Sequence, residues 1–471
     1  MISIIKHNML NKFGVLLFAA ITLQSCFVAK DYERPEFEET PDLYRTENLS
    51  TDSLSMADVS WKDLFTDPYL NQYIEEGLQN NMDIRMAIQQ MATAEAYAKQ
   101  GKAGYLPSVG LNTSATHQEL SKNSQFGSFF NGSIEQFELS ANLSWEADIW
   151  GKIRSAKRAS DANYLQSVAA HRAVKTMLVS SIATTYYQLL ALDAQLEVTN
   201  ISIDVREKSV ETIKALMEAG QVTQVAVDQS IAQYKNASAL KIDIETAIYQ
   251  TENTFNLLLG KSAQSVERTI LDNQELTSDI KTGVPSALLR NRPDVMAAEY
   301  ALINAFELTN VAKSQFYPAL TLTASGGFQS LDLKDWISAN SIFANIVGGL
   351  AQPIFNKRSI KTQYEVSQAQ QKQALINFEQ SLLIAGNEVS NALYKFDAEN
   401  KKIVFREQEV VALKNAEANS EELLNYGYGT YLDLLTARAA ALNAELSVVE
   451  SKLQKLLNVV DLYEALGGGW K

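Results

Sequence analysis

The chain has 471 residues, 46% hydrophobic and 20% charged, with a formal charge of −14. That composition excludes a disordered protein, and the acidic balance without a long basic run excludes nucleic acid as the main partner. The length allows several ordinary domains or one large extended unit, and after residue 26 no apolar run reaches the ~18 residues that a transmembrane helix needs.

The chain opens on a targeting segment. Lys6 and Lys12 form a basic start, and Phe13 to Leu23 is an apolar run too short to span a bilayer. Leu23-Gln24-Ser25-Cys26 follows and holds the only cysteine. It resembles a bacterial lipoprotein processing site, although Gln24 stands where that pattern has a small residue. The resemblance implies a signal peptide at 1–25, lipid attachment at Cys26 and an acylated extended segment at 26–60. Removing Lys6 and Lys12 takes the formal charge from −14 to −16.

An internal repeat organises the rest. Tyr105-Leu106-Pro107 recurs as Phe316-Tyr317-Pro318, and Asp83 as Asp294, both 211 positions on. Gly220 recurs as Gly427 and Gly260 as Gly467, both 207 positions on. Between these anchors, Asp148-Ile149-Trp150-Gly151-Lys152 aligns loosely with Pro353-Ile354-Phe355-Asn356-Lys357. Residues 61–260 and 286–466 thus read as two versions of one unit, with an irregular connector at 261–285 and a tail at 467–471.

Each version reads helix, strand, strand, long helix, turn, helix. In the first, 72–102 is expected as one helix of ~46 Å. Strands follow near 108–118 and 135–147. Val109, Leu111 and Ala115 alternate with Asn112, Ser114 and Thr116, with Thr113 interrupting the apolar side. Phe137, Leu139, Ala141, Leu143 and Trp145 alternate with Glu138, Ser140, Asn142 and Ser144. Residues 152–219 contain neither Gly nor Pro and would form one helix of ~102 Å. The helix at 222–259 would reach ~57 Å, so the two shorter helices end to end match the long one. Val179, Ile182, Tyr186 and Leu189 keep coiled-coil spacing until Asp193 intrudes.

In the second version the strands lie near 319–329, with Leu320, Leu322, Ala324 and Phe328, and near 341–353, with Ile342, Ala344, Ile346 and Leu350. The long helix, 356–426, is interrupted only by Gly386. The last carries a heptad seam through Leu432, Leu435, Ala439, Leu442, Leu446, Val449, Leu453, Leu456, Val460 and Tyr463. Strands of about ten residues with one apolar face suit a transmembrane barrel. The polar stretches 121–133 and 331–340 hold Phe126, Phe129, Phe130 and Trp336, which suit an interfacial aromatic belt. The fold class is mostly α with a transmembrane β-barrel, built on long coiled-coil-like helices. The smallest barrels have about eight strands, so a chain with four must assemble with copies of itself.

Catalysis has little to work with. His117 and His171 are the only histidines after the targeting segment, and the methionines are scattered. The chain therefore reads as a non-enzyme without metal or cofactor.

Three stretches carry a family likeness: Asn142-Leu143-Ser144-Trp145-Glu146-Ala147-Asp148-Ile149-Trp150-Gly151, Leu289-Arg290-Asn291-Arg292-Pro293-Asp294-Val295 and Leu466-Gly467-Gly468-Gly469-Trp470. They resemble the TolC-like outer-membrane efflux family, in particular its lipoprotein branch, the outer membrane factors of tripartite efflux pumps. The resemblance implies a lipid-anchored homotrimer with a twelve-stranded outer-membrane barrel and a periplasmic α-barrel. Its partners would be a periplasmic adaptor and an inner-membrane pump, its cargo drugs, toxic small molecules or metal ions, and its only attached group the lipid on Cys26. Gly220, Gly427 and Gly429 would mark the periplasmic tip turns. Asp433 would stand where relatives form an acidic ring at the gate, or else simply favour a helix N-terminus. Thr436 occupies the place of a second acid in many relatives, Ala226 stands at the Asp433 position in the first version, and Asp228 lies two residues on. A channel for protein secretion, a periplasmic coiled-coil adaptor lipoprotein and a surface fibre are the alternatives.

Overall fold

The computed structural model describes residues 28–35, 44, 55–125, 127–128, 133–274 and 288–471. The signal segment with Lys6, Lys12 and Cys26, most of 36–54, the loop residues Phe126, Phe129 and Phe130, and the connector from 275 to 287 lie outside the described residues. Helices α1 (Trp61–Leu64), α2 (Pro68–Asn80) and α3 (Met82–Ala103) lead into strands β1 (Ser108–Glu119) and β2 (Ser133–Ala147), then α4 (Lys152–Glu218) and α5 (Gln224–Leu258). The second half repeats the order with α6 (Leu288–Asn291), α7 (Pro293–Ser314), β3 (Ala319–Ser330), β4 (Ile342–Ala351), α8 (Ser359–Asn425) and α9 (Tyr431–Ala465). Two compact units divide the chain. One comprises Met1–Glu36, Ala92–Gln166 and Ala298–Asn377, the other Phe37–Met91, Ser167–Ala297 and Phe378–Lys471.

The repeat is visible in element lengths. Helices α4 and α8 each have 67 residues, α5 and α9 each 35, and both pairs start 207 residues apart. Helices α3 and α7 each have 22 residues, β1 and β3 each 12, and these start 211 apart. Strand register corrects the loose alignment around residue 148. Ser108 pairs with Ser144 and Ala319 with Ala351, so β2 and β4 are also offset by 207. Gly151 then corresponds to Arg358, not Asn356, and the backbone agrees: φ is 77° at Gly151 and 66° at Arg358.

A second correction concerns 72–102, which is broken at Asn81. The Asn81 N–H donates to the Gly77 carbonyl and closes α2. Its Oδ1 accepts from the N–H groups of Asp83 (2.8 Å) and Ile84 (3.1 Å) and opens α3. One residue thus serves as the end of one helix and the start of the next. The other half breaks at the matching residue, Arg292, followed by Pro293 at the first position of α7.

Two of the family stretches meet at that second break. The buried Arg292 guanidinium binds Asp294 (3.0 and 2.5 Å), Glu388 (2.5 Å) and the Ala465 carbonyl (2.9 Å). Burial opposes its charge, but the two carboxylates outweigh burial and hold it protonated. Next to it the Asn291 carbonyl accepts the Trp470 indole N–H at 2.9 Å, and Arg172 lies 4.4 Å from the Trp470 ring centroid. Gly467, at φ 91°, is needed here because a Cβ would run into the Asn291 carbonyl.

The described part of the connector is strapped to the same unit by Asp67. Its Oδ1 caps α2 through the N–H groups of Tyr69 (2.8 Å) and Leu70 (3.3 Å). Its Oδ2 accepts from the Tyr186 hydroxyl (2.8 Å), the Gln274 amide (2.9 Å) and the Thr269 hydroxyl. Burial pushes this carboxyl up, but the donors outweigh it and leave its pKa below the usual value. Arg268 ties the strap down again, to Asp193 (2.5 and 2.9 Å) and Glu252 (2.6 Å). This is why Asp193 interrupts the seam of Val179, Ile182, Tyr186 and Leu189, of which all four are buried.

Helix α9 buries more than the expected seam. Leu435, Leu442, Val449, Leu453, Leu456, Val460 and Tyr463 are buried, whereas Leu432 is exposed. A second buried line runs through Leu434, Arg438, Ala441, Ala444, Ser451, Asn458 and Leu462. A helix flanked on two sides buries two stripes, and a single heptad seam describes only one of them.

The sheet lies in the first unit, antiparallel and ordered β1-β2-β3-β4. Register puts Val109, Leu111 and Ala115 opposite Leu143, Ala141 and Phe137, and these in turn share a face with Leu320, Leu322, Ala324 and Phe328 of β3. Ile342, Ala344, Ile346 and Leu350 of β4 complete that apolar face. Thr113 sits on it too, opposite Leu139. The other face carries Asn112, Ser114, Glu138, Ser140, Asn142, Thr321, Thr323 and Ser325. Trp336 packs beside Phe137 at 6.2 Å, beyond the hairpin end of the sheet.

Candidate functional site

Both expected tip turns lie in the second unit. Each long helix ends on a left-handed glycine, Gly220 at φ 74° and Gly427 at φ 76°. The Gly220 and Gln221 N–H groups return to the carbonyls of Met217 and Leu216, and those of Gly427 and Tyr428 to Leu424 and Leu423. This is the Schellman arrangement, which satisfies helix-end carbonyls and reverses the chain. Gly429 serves a different purpose. Its N–H joins the Leu423 carbonyl at 3.0 Å, and a Cβ would lie 3.0 Å from the Leu423 side chain.

The two turns share a small core. Ile213, Ala226 and Val227 are buried, with Leu216, Met217, Val222, Leu424 and Tyr431 packed against them. The Tyr431 hydroxyl donates to Gln229 Oε1 at 2.7 Å. Tyr426 and Tyr428 are left 71% and 85% exposed, so the second turn presents apolar surface that this chain does not cover.

Asp433 is exposed at the start of α9, in a capping box with Thr430. The Thr430 hydroxyl accepts the Asp433 N–H at 3.2 Å, while Asp433 Oδ2 accepts the Thr430 N–H (3.2 Å) and hydroxyl (2.6 Å). The first turn lacks this device: Thr223 makes no side-chain capping bond, and Ala226 is fully buried. Asp228 is exposed and accepts from the Gln224 amide at 2.8 Å.

A charged layer further along the same helices escaped sequence reasoning. Arg438 and Arg206 are both buried. Arg438 pairs with Glu417 (3.3 Å) and Glu421 (3.1 Å), and Lys414 pairs with Glu445. Arg206 donates to Ser202 (3.0 Å) and Gln233 (2.5 Å). Burial and the neighbouring Arg438 charge lower the Arg206 pKa, with Glu417 opposing. Arg206 joins α4 to α5, and Arg438 and Lys414 join α8 to α9. The layer's one sequence signal is an arginine at a buried-line position of α9, since its partners come from other helices. Among the described residues no group of three or more His, Cys, Asp or Glu is placed to hold a metal ion.

The sequence matches the family model for outer membrane efflux proteins over residues 73–261 and 284–468. It is 26% identical over 454 residues to the cation efflux system protein CusC of Escherichia coli O6:H1, covering 96% of this chain and 97% of that one. It is 27% identical over 465 residues to the probable efflux pump outer membrane protein TtgC of Pseudomonas putida, covering 97% and 95%. A solved structure of CusC, concerned with folding and transmembrane channel formation, matches with a TM-score of 0.84 at 25% identity, covering 94% of this chain and 100% of that one. The chain belongs to the outer membrane efflux protein family and is an outer-membrane channel component of an efflux system.

Proposed function

We propose that three copies of this chain close a twelve-stranded barrel in the outer membrane, continued by a helical tunnel in the periplasm. The duct is passive and carries drugs, toxic small molecules or metal ions delivered by an inner-membrane pump through a periplasmic adaptor. One observation carries this reading: a sheet with an exposed apolar face, a polar opposite face and two edges that are unpaired among the described residues. Such a sheet is stable in a bilayer only when its edges are closed and its apolar face meets lipid. The relatives' names, cation efflux for CusC and efflux pump for TtgC, support an efflux cargo. The lipid on Cys26 anchors the mature chain and is its only attached group; the chain supplies no catalytic group. At the tips, Asp433 caps α9 and turns its charge to the trimer axis, where three carboxylates attract cations.

The protein extracted from membranes in detergent should run as a trimer and give discrete conductance steps in planar bilayers. A deletion strain should become more susceptible to drugs, bile salts or metals. A monomer without pore activity overturns the reading. Intact-mass measurement should show a diacylglyceryl-modified Cys26 as the first residue, and a free thiol there refutes the anchor.

A further inference from the structure

Resting on the assembly just proposed, we infer that β4 of one copy pairs antiparallel with β1 of the next, in a register that sets Leu350 opposite Thr113. The chain contains its own template for this junction. Strands β2 and β3 come from different halves and pair with each other, with Leu143 opposite Ala324. Strand β4 is the counterpart of β2 at an offset of 207, and β1 is the counterpart of β3 at 211. Carrying the β2–β3 register across these offsets places Leu350 opposite Thr113, Gly348 opposite Ala115, Ile346 opposite His117 and Val347 opposite Thr116.

One consequence of this construction and two observations that did not enter it bear on the junction. First, each pair joins residues of the same face: Leu350, Gly348 and Ile346 share the apolar side of the sheet with Thr113, Ala115 and His117. A slip of one residue would set apolar against polar along the whole ladder. Second, both edges are open. Neither β1 nor β4 holds Lys, Arg or Pro, the residues that block edge pairing in chains meant to stay alone. Third, the junction accounts for an exposed residue just past the end of β4. Strand β2 pairs with β1 only as far as Ser144 but continues along β3 to Ala147. Strand β4 stops at Ala351, the Ser144 position, and leaves Ile354 93% exposed. In the junction Ile354 takes the Ala147 position and faces Val109, itself 68% exposed in the single chain. The occupant is a second copy because β4 needs the surface that β3 offers β2, and β1 repeats it: Val109, Leu111, Ser114 and Gln118 stand for Leu320, Leu322, Ser325 and Gln329.

The test is disulfide trapping in the full-length lipoprotein, extracted in detergent. Leu350→Cys/Thr113→Cys probes the apolar face and Val347→Cys/Thr116→Cys the polar face. Leu350→Cys/Ala115→Cys and Leu350→Cys/Leu111→Cys are each shifted by two residues, which moves the Cα atoms to roughly 7–8 Å, beyond easy bridging. Mild oxidation should give covalent dimers and trimers from the in-register pairs at several times the yield of the shifted pairs, with none from single-cysteine controls. Light scattering on each sample reports the size of the particle. A trimer that cross-links preferentially through a shifted pair, or through none, overturns the register and leaves the duct standing. A monomeric particle overturns both.

Discussion

Asp67→Asn should loosen the strap at 264–274 while leaving the α2 cap in place. Asn caps helices as well as Asp does, so the bonds to the Tyr69 and Leu70 N–H groups survive. The change falls on the other oxygen, where the Tyr186, Thr269 and Gln274 donors converge. An amide nitrogen there donates toward three donors, and each charge-assisted bond lost is worth about 1.5–3 kcal/mol. Part is recovered, because Gln274 keeps its bond to Thr269 at 2.8 Å and the hydroxyls can rotate. The net cost is roughly 3 kcal/mol, or on the order of a hundredfold faster local opening. Hydrogen exchange across 264–274 at pH 7 reads this directly. Since the folded carboxyl lies below its usual pKa, its contribution is present above the unfolded value of about 4 and is lost as pH falls through the folded one. The wild-type strap should therefore lose protection in acid, after correction for intrinsic rates, and the Asn variant should not. Equal protection of the two proteins at pH 7, or the same acid loss in both, refutes the assignment of Asp67 as the clasp.

Three further expectations follow from the second unit. Asp433→Ala should change cation selectivity or raise resting conductance, whereas Thr430→Val removes the capping partner and keeps the charge; identical single-channel records for the two would assign the effect to the cap. Gly427→Ala should cost only about 1 kcal/mol, because the left-handed backbone is its sole obstacle and nothing lies within 4 Å of the new Cβ. Gly467→Ala should cost roughly 3 kcal/mol or more, adding a collision with the Asn291 carbonyl, and thermal melts should rank the two in that order. Arg438→Met should cost about 1–2 kcal/mol and not the ~3–5 of a fully buried pair, since Glu421 is half exposed and can rehydrate. Combined with Arg206→Met it should cost more than the two single losses together, because each single change gains relief from the like-charge repulsion and the double change gains it only once; additive denaturation shifts would contradict that coupling.

The sequence was most legible where a local rule leaves few choices. The strand faces follow from period-two alternation, and the long helices from a run without Gly or Pro. The tip turns follow from glycines that only a left-handed backbone requires. Features built by tertiary contacts left no such mark. Asn81 ends one helix and starts the next with a single polar side chain, so nothing in 72–102 announces the break. Arg438 finds its carboxylates on α8, and Arg206 its amide partner on α5. Aligning Asp148 with Pro353 sets Lys152 against Lys357, an identity that carries no structural weight. Only the hairpin register and the left-handed backbone at Arg358 show that two further residues intervene.

The unequal tips have a packing reason that leads to a last prediction. Thr223 and Thr430 occupy equivalent positions, but only Thr430 has an acidic partner three residues on. An aspartate at 226 would complete a capping box worth about 1 kcal/mol. Yet Ala226 is fully buried against Ile213 and Val227, so that carboxylate would enter an apolar core. Desolvation of an unpaired charge exceeds the gain from a cap, and the group would protonate or the turn would open. Ala226→Asp should therefore destabilise the first turn by roughly 2 kcal/mol or more, seen as faster proteolysis around Gly220 at pH 7 that slows as the carboxyl is neutralised in mild acid. The second turn meets no such limit, because Asp433 is exposed. In the proposed trimer this would give a ring of three acids and not six, set by the buried Ala226. A variant as resistant as wild type at pH 7 would show that the small tip core does not impose the asymmetry.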